Sequence, residues 1–270
     1  MFKLIPTYIN KNLNPVQAIY LGIILNIFCY SIMFFRALLG SAKQDWGYSE
    51  FLLNYINTNK STWSVQPTIY HGEDFQDCIV LVFGKPTTAI FAHMDSIGFT
   101  VKYDNEIVKI GGPVTTEGIT VVGEDSQGNI EEHIIHKEDD KGNKSLHIGG
   151  RLVDRGTSLV FKPDFRESND FVQCCYMDNR LGVWNALKTA ETLENGIICF
   201  SSWEEHGGGS VGYLAKFIYE KYGVKQALIS DITWVTKGVE HAKGVAISMR
   251  DSGIPRRTWL NRILEFAKES

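Results

Sequence analysis

The sequence predicts an α/β protein with a small all-β domain inserted into it, and three observations support this prediction. Apolar strand-like runs alternate with amphipathic helical segments in residues 45–97 and again after residue 168. Between these two parts, strand-like pieces follow one another without a helical period. The 270 residues are 44% apolar and include 25 glycines but only 7 prolines, which is typical of a packed protein with a sizeable core.

The first part of the α/β framework is predicted to contain one helix and two strands. In residues 48–57 apolar side chains recur at helical spacing, which predicts a short amphipathic helix. Residues 78–84 and 87–93 are short apolar runs separated by Lys85 and Pro86. Because a turn signal divides the two runs, we expect a pair of buried strands.

The inserted domain is predicted to span residues 98–167. Its strand-like pieces read FTVKY, NEIVKI, GITVVGED, NIEEHIIHK, SLHIGG and TSLVFKP. Turn-forming residues such as Asp104-Asn105 and Gly111-Gly112 separate these pieces. We therefore divide the chain into an N-terminal segment at 1–44, an α/β domain at 45–97 and 168–270, and the insertion between its two parts.

The second part of the α/β framework again alternates helices with strands. Helical periodicity or strand-like composition predicts a helix at 179–193, a strand at 196–203, a helix at 210–222, strands at 225–230 and 244–249, and a helix starting at 258.

Charge and cysteine content exclude several classes of protein. Lys and Arg number 27 against 31 Asp and Glu, so the net charge is −4, and nucleic-acid binding is not expected. The five cysteines are odd in number and include no CxxC pair, which argues against a disulfide framework and a cysteine zinc site.

The N-terminal segment contains an uncharged apolar run at residues 17–35. Its 19 residues are about the length that crosses a bilayer as a helix, so we expect a transmembrane anchor and membrane contact through this run. Three alternatives stay open: a signal peptide cleaved near residues 40–42, a start codon placed too far upstream, and a buried helix.

Polar clusters stand where predicted strands end or helices begin. They comprise His93 and Asp95 after the second strand, Asp178 at the start of a helix, Glu204 and Glu205 after a strand, and Asp231 after the next strand. In open α/β sheets the carboxyl ends of the strands line the ligand crevice. Several carboxylates that converge without Lys or Arg indicate a bound cation.

The donor types narrow the choice of cation. An imidazole together with carboxylates suits zinc, cobalt or manganese better than calcium. In the H-x-D pattern, His93 can ligate the metal while Asp95 orients its ring. Each signal alone has a structural alternative; Asp178, for example, could simply cap its helix.

Four motifs together resemble the co-catalytic metallo-aminopeptidases of the glutamyl/deblocking type, a family that includes proteins labelled endoglucanase. The motifs are AHMDSIGFTV, MDNRLGVWNAL, WEEHGGGSVG and LISDIT, and the resemblance covers about residues 48–260. It implies an α/β/α zinc-peptidase (phosphorylase/hydrolase-like) domain with an inserted β domain, and hydrolysis of N-terminal residues of peptides.

The resemblance also implies a role for each motif residue. His93 and Asp231 would bind one metal ion, Glu205 the other, and Asp178 both. Glu204 would be the general base. The two divalent ions would be zinc or cobalt, and Asp95 would orient His93.

The resemblance further implies a cytoplasmic homo-oligomer and a last histidine ligand well downstream. Only His241 follows Asp231, so we expect a chain truncated at its C-terminal end. Two functional alternatives stay open: a related di-metal carboxypeptidase or amidohydrolase, and an inactive remnant.

Overall fold

The computed structural model describes residues 45–140, 142–168, 171–241, 243–250 and 253–269. Of these, residues 45–167 and 173–232 belong to one compact unit, whereas 168, 171–172 and the residues from 233 onward belong to a second. The helices and strands are, in chain order, α1 (Asp45–Asn59), β1 (Thr68–Tyr70), β2 (Ile79–Phe83), β3 (Ala89–His93), β4 (Gly98–Val101), β5 (Glu106–Ile110), β6 (Thr120–Glu124), β7 (Ile130–Asp140), β8 (Asn143–Ile148), β9 (Ser158–Phe161), β10 (Arg166–Glu167), β11 (Val172–Gln173), α2 (Met177–Ala190), β12 (Gly196–Ser201), α3 (Val211–Tyr222), β13 (Ala227–Ile229) and α4 (Arg257–Glu269).

A five-stranded sheet forms the centre of the first unit, in the order β1-β2-β12-β3-β13. β12 pairs with β2 in antiparallel fashion, but β12 and β13 both run parallel to β3. The carboxyl ends of β12, β3 and β13 therefore meet at one edge of the sheet, with Ser201 directly opposite His93.

Alternating side chains of the strands build one core on each face of this sheet. Ile79, Leu81 and Phe83 of β2 pack in one core with buried residues of α1 and α2. Val80 and Val82 point to the opposite face, where α3 packs. The result is an α/β/α arrangement, in which the strands are apolar on both faces because both faces are covered.

Strands β4–β9 form a closed barrel in the order β4-β5-β8-β7-β6-β9. Inward-facing residues such as Phe99, Ile135 and Leu159 are fully buried in its core. Outside the barrel, Tyr176 packs against Val122 and Val160, and its hydroxyl donates a hydrogen bond to the carbonyl oxygen of Phe161 at 3.0 Å. This contact joins the barrel to the segment that leads into α2.

The predicted α/β fold with an inserted all-β part is confirmed, including the helix at 48–57 and the six strands of the insertion. The strand predicted at 244–249 is wrong. These residues adopt no regular structure, and Val245 is 88% exposed. An apolar run becomes a strand only where neighbouring backbone accepts its hydrogen bonds. The domain boundaries at 98 and 167 stay a prediction.

The prediction of a transmembrane helix requires a correction. Within the described ranges, no helix is both long and apolar enough to cross a membrane. The longest of them, α1, has 15 residues, whereas a span needs about 20. The apolar run at 17–35, on which the prediction was based, lies outside the described residues.

Candidate metal centre

The parallel strands bring three of the predicted polar clusters to one edge of the sheet. His93 is the last residue of β3, and its side chain is almost fully buried. Glu204 and Glu205 follow the neighbouring strand β12, and Asp231 follows β13 on the other side of β3. The pairing of parallel strands therefore explains why residues far apart in sequence lie close together.

The start of α2 supplies the fourth cluster. Asp178 and Asn179 depart from helical backbone angles, so the regular turns begin after them. The side-chain amide of Asn179 donates to the carbonyl oxygen of Ser230 at 2.9 Å, which ties this turn to the end of β13. Gly182 permits the close approach, because a Cβ there would lie 2.2 Å from the same Ser230 oxygen.

His93 stands at the centre of the resulting group. Its Nε2 lies 3.0 Å from Oδ1 of Asp178, 3.9 Å from Oε2 of Glu204 and 3.9 Å from Oδ1 of Asp231. Donor atoms of His93, Glu204 and Glu205 also lie within 4.8 Å of one another. We call these five residues the His93 cluster.

Asp95 lies behind the ring of His93 and is fully buried. Its Oδ2 accepts a hydrogen bond from the backbone N–H of Glu205 at 2.9 Å. Its Oδ1 is 3.5 Å from Nδ1 of His93, a charge contact that is longer than an ordinary hydrogen bond. Asp95 therefore connects the ends of β3 and β12.

The crowding of carboxylates shifts the pKa values in the His93 cluster. Burial raises the pKa of Glu205 to about 7, and the neighbouring charge of Asp178 adds to the effect. Burial also raises the pKa of Glu204. For His93 burial acts to lower the pKa, but the hydrogen bond with Asp178 and the charge of Asp95 outweigh it, and the pKa is about 10.

The chemistry of this donor set fits a divalent metal ion. One imidazole nitrogen and several carboxylate oxygens lie within 3.0–4.8 Å of one another. In the part of the chain that the structure describes, no Lys or Arg forms an ion pair with Asp178, Glu204 or Glu205. A cation of the zinc, cobalt or manganese type would neutralise this excess of negative charge.

Two residues that support the site were given no role there by the sequence analysis. Arg180 is buried, its guanidinium carbon lies 3.4 Å from the centre of the Tyr48 ring, and its Nη1 donates to the carbonyl oxygen of Met94, between His93 and Asp95. Gly111 of the barrel leaves room for Glu205, because a Cβ there would lie 3.1 Å from Oε2 of Glu205. Arg180 follows Asp178 within the same motif, but only the packing explains its burial.

Comparison with known protein families gives a match. The model of the M42 glutamyl aminopeptidase family matches residues 79–270, which is most of the chain. No match is found among the curated proteins.

Solved structures of peptidases resemble the fold. The dodecameric PhTET1-12s structure superposes with a TM-score of 0.67 at 19% sequence identity, covering 87% of this chain and 79% of that one. An aminopeptidase from Desulfurococcus kamchatkensis gives 0.66 at 19% identity, covering 89% and 78%. The Pyrococcus horikoshii TET1 peptidase, which can assemble into a tetrahedron or a large octahedral shell, gives 0.66 at 20% identity, covering 88% and 81%.

Proposed function

The chain belongs to the M42 glutamyl aminopeptidase family and is a peptidase, and on that premise we propose that it removes N-terminal residues from peptides with divalent metal ions bound at the His93 cluster. The observation that carries the proposal is the convergence of four carboxylates on His93, three of them at the carboxyl ends of parallel strands and the fourth, Asp178, at the start of α2. A membrane anchor forms no part of the proposal, and cytoplasmic location stays a prediction.

We assign His93 and Asp231 to one ion, Glu205 to the other and Asp178 to both, and we assign no metal to Glu204. The donor atoms of these residues converge in two groups. His93, Asp178 and Asp231 form one group, and His93, Glu204 and Glu205 form the other. Asp178 adjoins residues of both groups, since its Oδ1 lies 3.0 Å from Nε2 of His93 and its charge raises the pKa of Glu205, and this supports a carboxylate that would serve both ions. Bound ions of this kind make the peptide carbonyl more electrophilic and lower the pKa of water.

Glu204 is the proposed general base. Its Oε2 is 3.9 Å from His93 Nε2, and its side chain is 46% exposed, so a water molecule and a peptide can both reach it. The Glu204 carboxylate would accept the proton of the attacking water and deliver it to the leaving amine. Asp95 would hold the ring of His93 from behind, through the contact described above.

The substrates proposed are peptides with a free amino terminus, because the family acts as aminopeptidases. The exposed carboxylates of the His93 cluster would also attract the positive charge of that terminus. We further propose a homo-oligomer, since related structures form a dodecamer and larger shells.

The test is hydrolysis of leucine- and glutamate-p-nitroanilide by the recombinant chain, after EDTA treatment and after addition of Zn²⁺ or Co²⁺. We expect activity only with metal, and none on N-acetylated substrates. Glu204→Gln should lower turnover by roughly 10²–10⁴-fold while metal affinity is retained, since it removes only the proton acceptor.

The matched control is Glu220→Gln on α3. Its side chain is 63% exposed, and its Oε1 lies 3.8 Å from Nζ of Lys216. Glu220 belongs to neither group of converging donor atoms. Turnover should not change in this variant. Cleavage of acetylated substrates, or full activity of Glu204→Gln, would contradict the proposed reaction.

A further inference from the structure

We propose that Gly111 of the inserted barrel is a positioning residue that holds the carboxylate of Glu205 in place for metal binding. The inference rests on the proposed function, because it assumes that Glu205 binds a metal ion. It extends that function by giving the barrel a direct part in the site.

Little space is left between Gly111 of the barrel and Glu205. A Cβ atom built on Gly111 would lie 3.1 Å from Oε2 of Glu205 and 3.4 Å from its carbonyl oxygen. The same Cβ would lie 2.7 Å from Cγ2 of Ile97. A side chain at position 111 would therefore have to displace Ile97 or Glu205, and the glycine leaves only the space that the carboxylate needs.

The barrel strands place Gly111 at this point. Gly111 directly follows β5, and Ile97 directly precedes β4. The two strands pair so that Gly98 is opposite Ile110, which sets Ile97 beside Gly111 at the end of the ladder. Both residues thus lie at the end of the barrel from which the chain runs back to Asp95.

Glu205 is consequently fixed from two sides. On one side its backbone N–H donates to Asp95. On the other side Gly111 limits the space for its carboxylate. A metal ligand that is held in this way loses little conformational freedom on binding, which favours tight binding.

A methyl group at position 111 would act on Glu205 in a specific way. The backbone of Gly111 has φ +68°, a conformation that costs an alanine roughly 1 kcal/mol. In addition the methyl group would force Ile97 or the Glu205 carboxylate to move. Because the β-branched side chain of Ile97 is stiff at χ1, whereas the carboxylate ends an unbranched side chain, we expect the carboxylate to leave its position.

Two other glycines of the barrel separate these effects. Gly118 also has positive φ, +84°, but a Cβ there would meet nothing within 4 Å. Gly112 adjoins Gly111, has no positive φ, and is equally open. Gly118→Ala therefore reproduces the backbone strain without crowding Glu205. Gly112→Ala adds a methyl group in the same turn without strain and without crowding.

The experiment measures Zn²⁺ affinity by competition with a chelator, and the visible spectrum of bound Co²⁺, for the full chain and each variant. Thermal unfolding of the metal-free proteins records the structural effect separately. We expect Gly111→Ala to lower metal affinity about tenfold or more, the usual effect of a group that supports a metal ligand, and to alter the Co²⁺ spectrum. Both control variants should keep the affinity of the unchanged chain.

Equal affinity in Gly111→Ala and the unchanged chain would overturn the inference, as would an equal loss in Gly118→Ala. If Gly111→Ala does not fold, the double variant Ile97→Ala/Gly111→Ala decides, because it relieves the closest clash but keeps the one with Glu205. Weakened metal binding in the double variant supports the inference, and unchanged affinity overturns it. Absence of metal binding in the unchanged chain would instead refute the proposed function.

Discussion

Asp95→Asn is the substitution that tests most directly how the His93 ring is held. Asparagine keeps the shape of Asp95. In the unchanged chain the backbone N–H of Glu205 donates a hydrogen bond to Oδ2 of Asp95 at 2.9 Å, and the amide oxygen of asparagine can still accept this bond. What changes is the group 3.5 Å from Nδ1 of His93, which becomes an NH₂ donor instead of a carboxylate oxygen. For Nε2 to carry the lone pair that binds metal, Nδ1 must carry the proton, and an NH₂ group disfavours that tautomer.

The expected loss follows from the contacts that remain. Since the bond to Glu205 is retained, only the orientation of His93 is affected, and such changes lower metal affinity by about 10–100-fold, or roughly 1.4–2.7 kcal/mol. The pKa of His93, about 10, should also fall, because the charge of Asp95 contributes to raising it. The assay is chelator competition for Zn²⁺, combined with an NMR titration of the metal-free protein.

Asp125→Asn on the barrel is the matched control for this substitution. The Asp125 side chain is also buried, at 6% exposure, and it pairs with Arg151 at 2.6 Å. Its replacement should lower stability without changing metal affinity. Wild-type Zn²⁺ affinity in Asp95→Asn, together with an unchanged pKa of His93, would refute the reasoning.

Three further predictions concern the same site. Asp178→Ala should lower the occupancy of both metal ions together in elemental analysis, and loss of one ion alone would exclude a shared ligand. Metal binding at pH 7 should release at least one proton, because the pKa of His93 is about 10 and the metal requires the neutral ring. Metal affinity should therefore rise with pH, and the heat of binding measured by calorimetry should depend on the ionisation enthalpy of the buffer. Gly182→Ala should lower the free energy of unfolding, measured in urea, by about 1–3 kcal/mol, because its Cβ would lie 2.2 Å from the Ser230 carbonyl oxygen. The control Gly212→Ala should not destabilise α3, since a Cβ at Gly212 would meet nothing within 4 Å.

Local patterns account for most of what could be predicted about the fold. The runs at 78–84 and 87–93 are apolar on both faces because helices cover both sides of the sheet, and this composition is visible in the sequence. The order in which the strands pair cannot be predicted from the sequence. β2 and β3 are consecutive along the chain, yet β12 lies between them.

The same distinction applies to the site. The positions of His93, Glu204 and Asp231 after strands could be recognised, because strand ends are a local property of the sequence. The contributions of Arg180 and Gly111 could not, because each acts through a neighbour that is distant along the chain. The exposed run at 244–249 shows the converse. Its composition favours a strand, but composition alone does not provide a neighbouring strand with which it could pair.

The contact of Tyr176 with the barrel has a consequence for protein engineering. Tyr176 is 7% exposed, and it stands two residues before Asp178, while its hydroxyl bonds to the last residue of β9. A barrel grafted from a related enzyme would have to reproduce the small apolar surface of Val122 and Val160 that receives this ring. A graft that joined the chain correctly at both ends but lacked this surface would release the turn at Asp178, and the recombinant hybrid would fold yet bind metal poorly.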